Sequence, residues 1–132
     1  MGHGSHHGAM PMNLLIVEDS ALISCLLCDL LTSLPGVGRI EQTGTLAQAM
    51  QSAHRAVPAL VILDLQLPDG NGMQIIDHLK LLSADLRIAV LTLHADNAYR
   101  HKCLNLGADW FFDKATDIDA LLRRVRQQAA LH

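Results

Sequence analysis

No stretch of this 132-residue chain stays apolar and uncharged for anything near the roughly 20 residues that a membrane-spanning helix requires. Half of the residues are hydrophobic, but they come in short, punctuated runs. That pattern excludes a spanning helix and fits one soluble globular domain with one core. Nor is there an excess of one charge: a formal charge of −3 and a pI near 6.2 leave no electrostatic footprint for direct nucleic-acid binding. Cysteine is scarce and odd in number, three in all, with no signal peptide, a combination suited to a reducing, cytoplasmic compartment. Cys25 and Cys28 match the C-x-x-C spacing, yet they fall inside a predicted helix, more than a turn from its start, where the helix dipole does not activate them. They read, with Cys103, as small buried hydrophobes.

Residues 1–11 have neither periodicity nor an apolar segment and read as an appended leader, so that the domain covers residues 12–132. His3, His6 and His7 in that leader are not evidence of a metal site. Repeats, low-complexity tracts and linkers are absent from the remainder, which alternates strand and helix. Residues 13–17 form a first strand, stopped by Glu18-Asp19. Ser20 caps a predicted helix to about residue 34, with Ile23, Leu26, Leu27, Leu30, Leu31 and Leu34 at helical spacing. Residues 37–43 suit an edge strand, and Thr45 caps a helix that carries Leu46, Ala49, Met50 and Ala53 on one face. Residues 60–63 are an apolar run of branched side chains, the pattern of a strand buried on both faces; Asp64 ends it, and Pro68-Asp69-Gly70-Asn71-Gly72 forces a loop. A helix over residues 73–82, a strand over 87–91 ending at Thr92, and a helix over 97–106 closed by Gly107 follow. Residues 110–112 make a fifth strand before Asp113-Lys114, and Asp117 begins the last helix.

Five strand–helix units imply an α/β fold: a doubly wound parallel sheet with right-handed crossovers and, for a chain this short, the flavodoxin-like strand order 2-1-3-4-5. In that order the first and third strands are neighbours, and their carboxyl ends bring Glu18, Asp19 and Asp64 together. Three crowded carboxylates repel one another unless a cation joins them. Oxygen ligands with room for water suit Mg²⁺, with Mn²⁺ as a substitute. Thr92 adds a hydroxyl and Lys114 an ammonium. A carboxylate nucleophile, a divalent ion, a hydroxyl and an ammonium are what phosphoryl transfer to an aspartate requires. Each position taken singly has an ordinary explanation as a cap, a strand end or a solvated lysine; together, in order along the strand ends, they form a set.

That set resembles the receiver domain of response regulators in bacterial two-component signalling. The resemblance covers residues 12–132 and rests on Glu18-Asp19, on Asp64 with Pro68 four and Gly72 eight residues later, on Thr92 and on Lys114. It implies that Asp64 accepts a phosphoryl group from a sensor histidine kinase or phosphotransfer protein. Asp19, Asp64 and the backbone carbonyl of Gln66 would ligate Mg²⁺, with Glu18 acting through water, and Lys114 would contact the phosphoryl group. Thr92 and Phe111 would switch, altering a face of the fourth helix, fifth strand and fifth helix that family members use for dimerisation or for control of an output domain. Such a protein is a phosphoacceptor that catalyses only its own phosphorylation and dephosphorylation.

Two departures stand out. Ala115 follows Lys114 where most of the family has a proline, usually in a cis peptide, so the conformation of this loop is left open. Gln66 and His94, two residues past Asp64 and Thr92, flank the path of attacking water in the family and are expected to tune phosphoryl lifetime. The chain ends soon after its last helix, which leaves open a single-domain receiver or a piece of a longer regulator. Two other readings compete. A haloacid-dehalogenase-type phosphatase also joins an Asp nucleophile to Mg²⁺, but it places a second Asp where Gln66 stands. A degenerate flavodoxin-like module would signal without phosphate.

Overall fold

The computed structural model describes residues 10–132. Of the expected leader, residues 1–9 lie outside the described residues; Met10 and Pro11 are exposed, and Met12 is buried as the first residue of a strand. In chain order the elements are β1 (Met12–Val17), α1 (Ala21–Thr32), β2 (Val37–Thr43), α2 (Leu46–Arg55), β3 (Leu60–Leu63), the two-residue strands β4 (Gln66–Leu67) and β5 (Gly70–Asn71), a 3-10 turn (Gly72–Ile75), α3 (Ile76–Leu82), β6 (Arg87–Thr92), α4 (Asn97–Leu106), β7 (Trp110–Asp113) and α5 (Ile118–Leu131). Five of the strands form one parallel sheet in the order β2-β1-β3-β6-β7. This is the expected 2-1-3-4-5 arrangement, with the small β4–β5 hairpin set apart from the sheet.

The four-residue run of β3 is fully buried because helices cover both faces of the sheet. Val61 and Leu63 face a core layer with Leu46, Ala49 and Ala53 of α2, Ile76 and Leu79 of α3 and Cys103 of α4. Leu60 and Ile62 face the other layer, with Leu27 and Leu31 of α1 and Leu121, Val125 and Ala129 of α5. Apolar side chains therefore occur at successive positions, where a sheet with one wet face would alternate. At the far edge, the Arg100 guanidinium lies 5.0 Å from the Phe111 ring centre and that of Arg124 lies 5.2 Å from Trp110.

Three local expectations are corrected. Helix α1 stops at Thr32, short of residue 34, because Pro35 disfavours helical backbone in the residue before it; the Leu34 N–H closes a turn on the Leu31 carbonyl instead. Its buried stripe is Ser24, Leu27 and Leu31, so residues about 100° to 200° round from Ser24 face water: Leu26 is 54% exposed, and Cys25 is exposed rather than buried. Cys28 is half-buried, whereas Cys103 is buried and its thiol is pushed up to about 11 by desolvation. The expected helix over 73–82 begins as a 3-10 turn, capped by the Asn71 side chain on the Met73 N–H at 2.9 Å, and becomes α-helical only from Ile76.

Candidate functional site

Strands β1 and β3 are hydrogen-bonded neighbours, with Val17 opposite Leu63. The ladder runs one step further, the Asp64 N–H donating to the Val17 carbonyl at 3.0 Å, so Glu18 and Asp64 leave the sheet side by side. Both are buried, while Asp19 is exposed. One carboxylate oxygen from each of the three residues lies within 4.8 Å of the others. Like charges at that spacing oppose ionisation unless something positive answers them.

Lys114 supplies part of that answer. It follows β7, and its Nζ donates to Glu18 Oε1 at 2.6 Å and to Asp64 Oδ2 at 2.8 Å. Burial disfavours its charge, but hydrogen bonds to Asp64 and Glu18 and the charges of both carboxylates outweigh it, so the lysine pKa stands above its usual 10.5. The other oxygens of the two buried acids are also engaged: Glu18 Oε2 accepts from the Ser20 N–H at 2.9 Å and Asp64 Oδ1 from the Gln66 N–H at 3.3 Å. Three carboxylates against one ammonium carry a formal excess of two negative charges, which suits a divalent cation bound by oxygen. The donor set therefore fits Mg²⁺ or Mn²⁺.

The loop after Asp64 is tied down on two sides. The Gly72 N–H donates to the Leu65 carbonyl at 2.7 Å, and a Cβ on Gly72 would overlap the Asp64 carbonyl oxygen. Asp69 reaches out of the hairpin to the first turn of α2, accepting from the Leu46 and Ala47 N–H groups at 2.9 and 3.1 Å. The Leu46 bond is the main reason its carboxyl pKa is lowered. Gln66 and His94 are exposed at the rim, and His94 donates its backbone N–H to Thr92 Oγ1 at 3.1 Å. Thr92 itself is buried at the end of β6, its carbonyl accepting the Lys114 N–H at 2.9 Å. Phe111 is buried in the core layer shared with α2, α3 and α4.

Sequence reasoning treated Asp69, Asp113 and Asp117 only as turn or boundary residues; each carboxylate takes part in holding a loop next to the site. For Asp113 the available signal was local, an Asp two residues before an alanine N–H, the spacing of an Asx turn. Asp69 acts across 23 residues, which no local pattern marks. Among the described residues every peptide bond is trans, so Lys114-Ala115 adopts the conformation open to any residue pair.

Fold and site together define a doubly wound, flavodoxin-like α/β domain with an acidic pocket at the carboxyl edge of its sheet. The family model of the response regulator receiver domain matches residues 14–126, and the chain belongs to that family. It is 36% identical over 121 residues to the KDP operon transcriptional regulatory protein KdpE of Escherichia coli, covering 91% of this chain and 52% of that one. To the DNA-binding transcriptional activator DevR/DosR of Mycobacterium tuberculosis it is 30% identical over 115 residues, covering 87% and 53%. A response regulator protein from Burkholderia pseudomallei, solved with a phosphorylated aspartic acid, calcium ion and citrate, superposes with a TM-score of 0.79 at 25% identity, covering 90% of this chain and 69% of that one. The chain thus spans about half the length of these curated relatives.

Proposed function

We propose that Asp64 is the phosphoacceptor of this receiver domain, taking a phosphoryl group from the phosphohistidine of a sensor histidine kinase or phosphotransfer protein. An Asp64 carboxylate oxygen forms the new O–P bond as the N–P bond breaks, and the leaving imidazole nitrogen picks up a proton. The observation that carries this reading is the buried Lys114 ammonium bridging Glu18 and Asp64 at 2.6 and 2.8 Å, beside a cluster of three carboxylates. Asp19, Asp64 and the Gln66 backbone carbonyl would hold Mg²⁺, with Glu18 acting through water. When bound, that ion neutralises charge on the transferring phosphoryl oxygens. Lys114 offers its Nζ to the same oxygens; Thr92 Oγ1 accepts from the His94 N–H, which leaves the hydroxyl proton to be donated to them. The aspartic acid and calcium named for the Burkholderia pseudomallei relative support the chemistry.

Phosphorylation adds about −1.5 to −2 charge and strong acceptor oxygens, favouring whichever state turns Thr92 and Lys114 toward them. A shift of Thr92, with Phe111 following, would be read on the α4–β7–α5 face by a second copy or an output domain. The transcriptional names of the longer relatives support an output in transcription. Incubation with acetyl phosphate, with and without Mg²⁺, followed by intact mass tests the core of the proposal. One phosphoryl group should appear only with the metal and be lost in Asp64→Asn; uptake by Asp64→Asn would overturn it.

A further inference from the structure

Lys114 sits in a five-residue turn whose backbone donors can all be accounted for, and two carboxylates do much of that accounting. The Asp113 N–H donates to Asp117 Oδ2 at 2.9 Å and the Ala115 N–H to Asp113 Oδ1 at 2.8 Å. The Lys114 N–H goes to the Thr92 carbonyl, and those of Thr116 and Asp117 return to the Asp113 carbonyl at 3.3 and 2.8 Å. Asp117 occupies the N-cap position of α5 yet makes no side-chain bond into the helix. An aspartate there ordinarily caps its own first turn, a contribution of about 1 kcal/mol. Here the carboxylate turns backward to the end of β7, steadied by the Thr116 hydroxyl at 3.2 Å. Ala115 contributes an N–H that a proline would lack, and Asp113 takes it.

We infer that Asp113 and Asp117 are positioning residues: their carboxylates lock the turn that aims Lys114 at Glu18 and Asp64. The inference rests on the phosphoacceptor reading for its consequence, but not for its geometry. Lys114 reaches the acids through a long side chain with several rotatable bonds, and only a fixed backbone origin places Nζ between two oxygens at once. Truncating Asp113 orphans the Ala115 N–H, and truncating Asp117 orphans the Asp113 N–H. Either change lets the origin of Lys114 drift.

The experiment compares Asp113→Ala, Asp117→Ala and Asp113→Asn, each alone and with Lys114→Ala. Asn keeps the oxygen that accepts from Ala115, so Asp113→Asn serves as the rescue. The first readout needs no phosphate: the Nζ signal of Lys114 in ¹⁵N-lysine NMR, assigned by its loss in Lys114→Ala, should be protected from exchange in the starting protein. Both alanine variants should lose that protection and Asp113→Asn should keep it. The second readout is the rate of phosphorylation by acetyl phosphate, expected to fall roughly tenfold to a hundredfold in the alanine variants. Mg²⁺ affinity by calorimetry should not fall with it, and the alanine changes should add nothing in the Lys114→Ala background. A protected Nζ signal in Asp113→Ala, an equal further loss of rate without Lys114, or a parallel loss of Mg²⁺ affinity would each overturn the inference. If the NMR pattern holds but no protein takes up a phosphoryl group, the positioning role stands and the phosphoacceptor reading fails.

Discussion

Replacing Lys114 with methionine removes the cation between two buried carboxylates while keeping most of the side chain's bulk. The lysine side chain is 10% exposed and those of Glu18 and Asp64 are 3% and 8% exposed, so water does little to compensate. Deleting one member of a buried ion pair typically costs about 3–5 kcal/mol, because the partner is left charged and unanswered. Here the pocket opens on exposed Asp19 and can admit cations from solution, which places the expected loss near the lower end, about 3 kcal/mol in EDTA. For a domain of this size that lowers Tm by roughly 10 °C. Mg²⁺ should return most of the loss, since two charges then answer the acids; at a hundred times its dissociation constant a bound ligand adds about 2.7 kcal/mol. The assay is thermal unfolding by circular dichroism, in EDTA and in MgCl₂, for both proteins. The Mg²⁺-induced rise in Tm should be larger in Lys114→Met than in the starting protein. A variant that melts within 2 °C of the starting protein in EDTA, or rises equally with Mg²⁺, would refute the view that charge crowding governs this pocket.

Because the Asp69 pKa is lowered in the folded state, its contribution to stability is present above the usual carboxyl value of 3.8 and is lost as pH falls through the lower folded value. Asp69→Asn should therefore be less stable at neutral pH in urea titrations, with the difference shrinking below pH 3.8; a constant difference down to pH 2 would contradict the tether. Gly72→Ala puts a methyl group onto the Asp64 carbonyl and should destabilise by about 1–3 kcal/mol, with a matching loss of phosphorylation; an unchanged urea midpoint would show that the loop yields freely. Cys25 should react with a thiol reagent such as DTNB in the folded protein, while Cys103 reacts only after unfolding. Peptide mapping after labelling reads this directly, and early labelling of Cys103 would count against its burial.

The sheet was legible because β3 and β6 are short runs apolar at successive positions and bounded by turn residues, as strands of a sheet covered on both faces are. Helix α4 is poorly amphipathic and was less readable: Gly107, with positive φ, marked its end, while the Asp96 side chain that accepts from the Tyr99 N–H at its start went unread. The strand-end residues stood out because Glu18, Asp64 and Thr92 directly follow apolar runs, with Asp19 and Lys114 one residue further on. Their meeting could be inferred only through topology: Lys114 and Glu18 are 96 positions apart. What stayed hidden has a common physical cause. Leu26 and Leu27 are adjacent, so one of them had to face water, and only the packing of α1 on β1 and α5 decides which. The 3-10 turn after Gly72 and the Asp69 tether depend on contacts with a distant helix and a nearby carbonyl, not on local preference.

The guanidinium groups of Arg100 and Arg124 come from α4 and α5, the helices on opposite faces of the sheet, and rest on adjacent residues of the last strand. That strand has a neighbour on one side only among the described residues, and side chains already engage part of its backbone, Arg100 at the Phe111 carbonyl and Asp117 at the Asp113 N–H. A cation perched on each side makes a junction with another chain there crowded and charged. Copies meeting at this flank would do so helix to helix, through side chains that can let go, and would not fuse into a continuous ribbon. A contact of that kind would stay reversible.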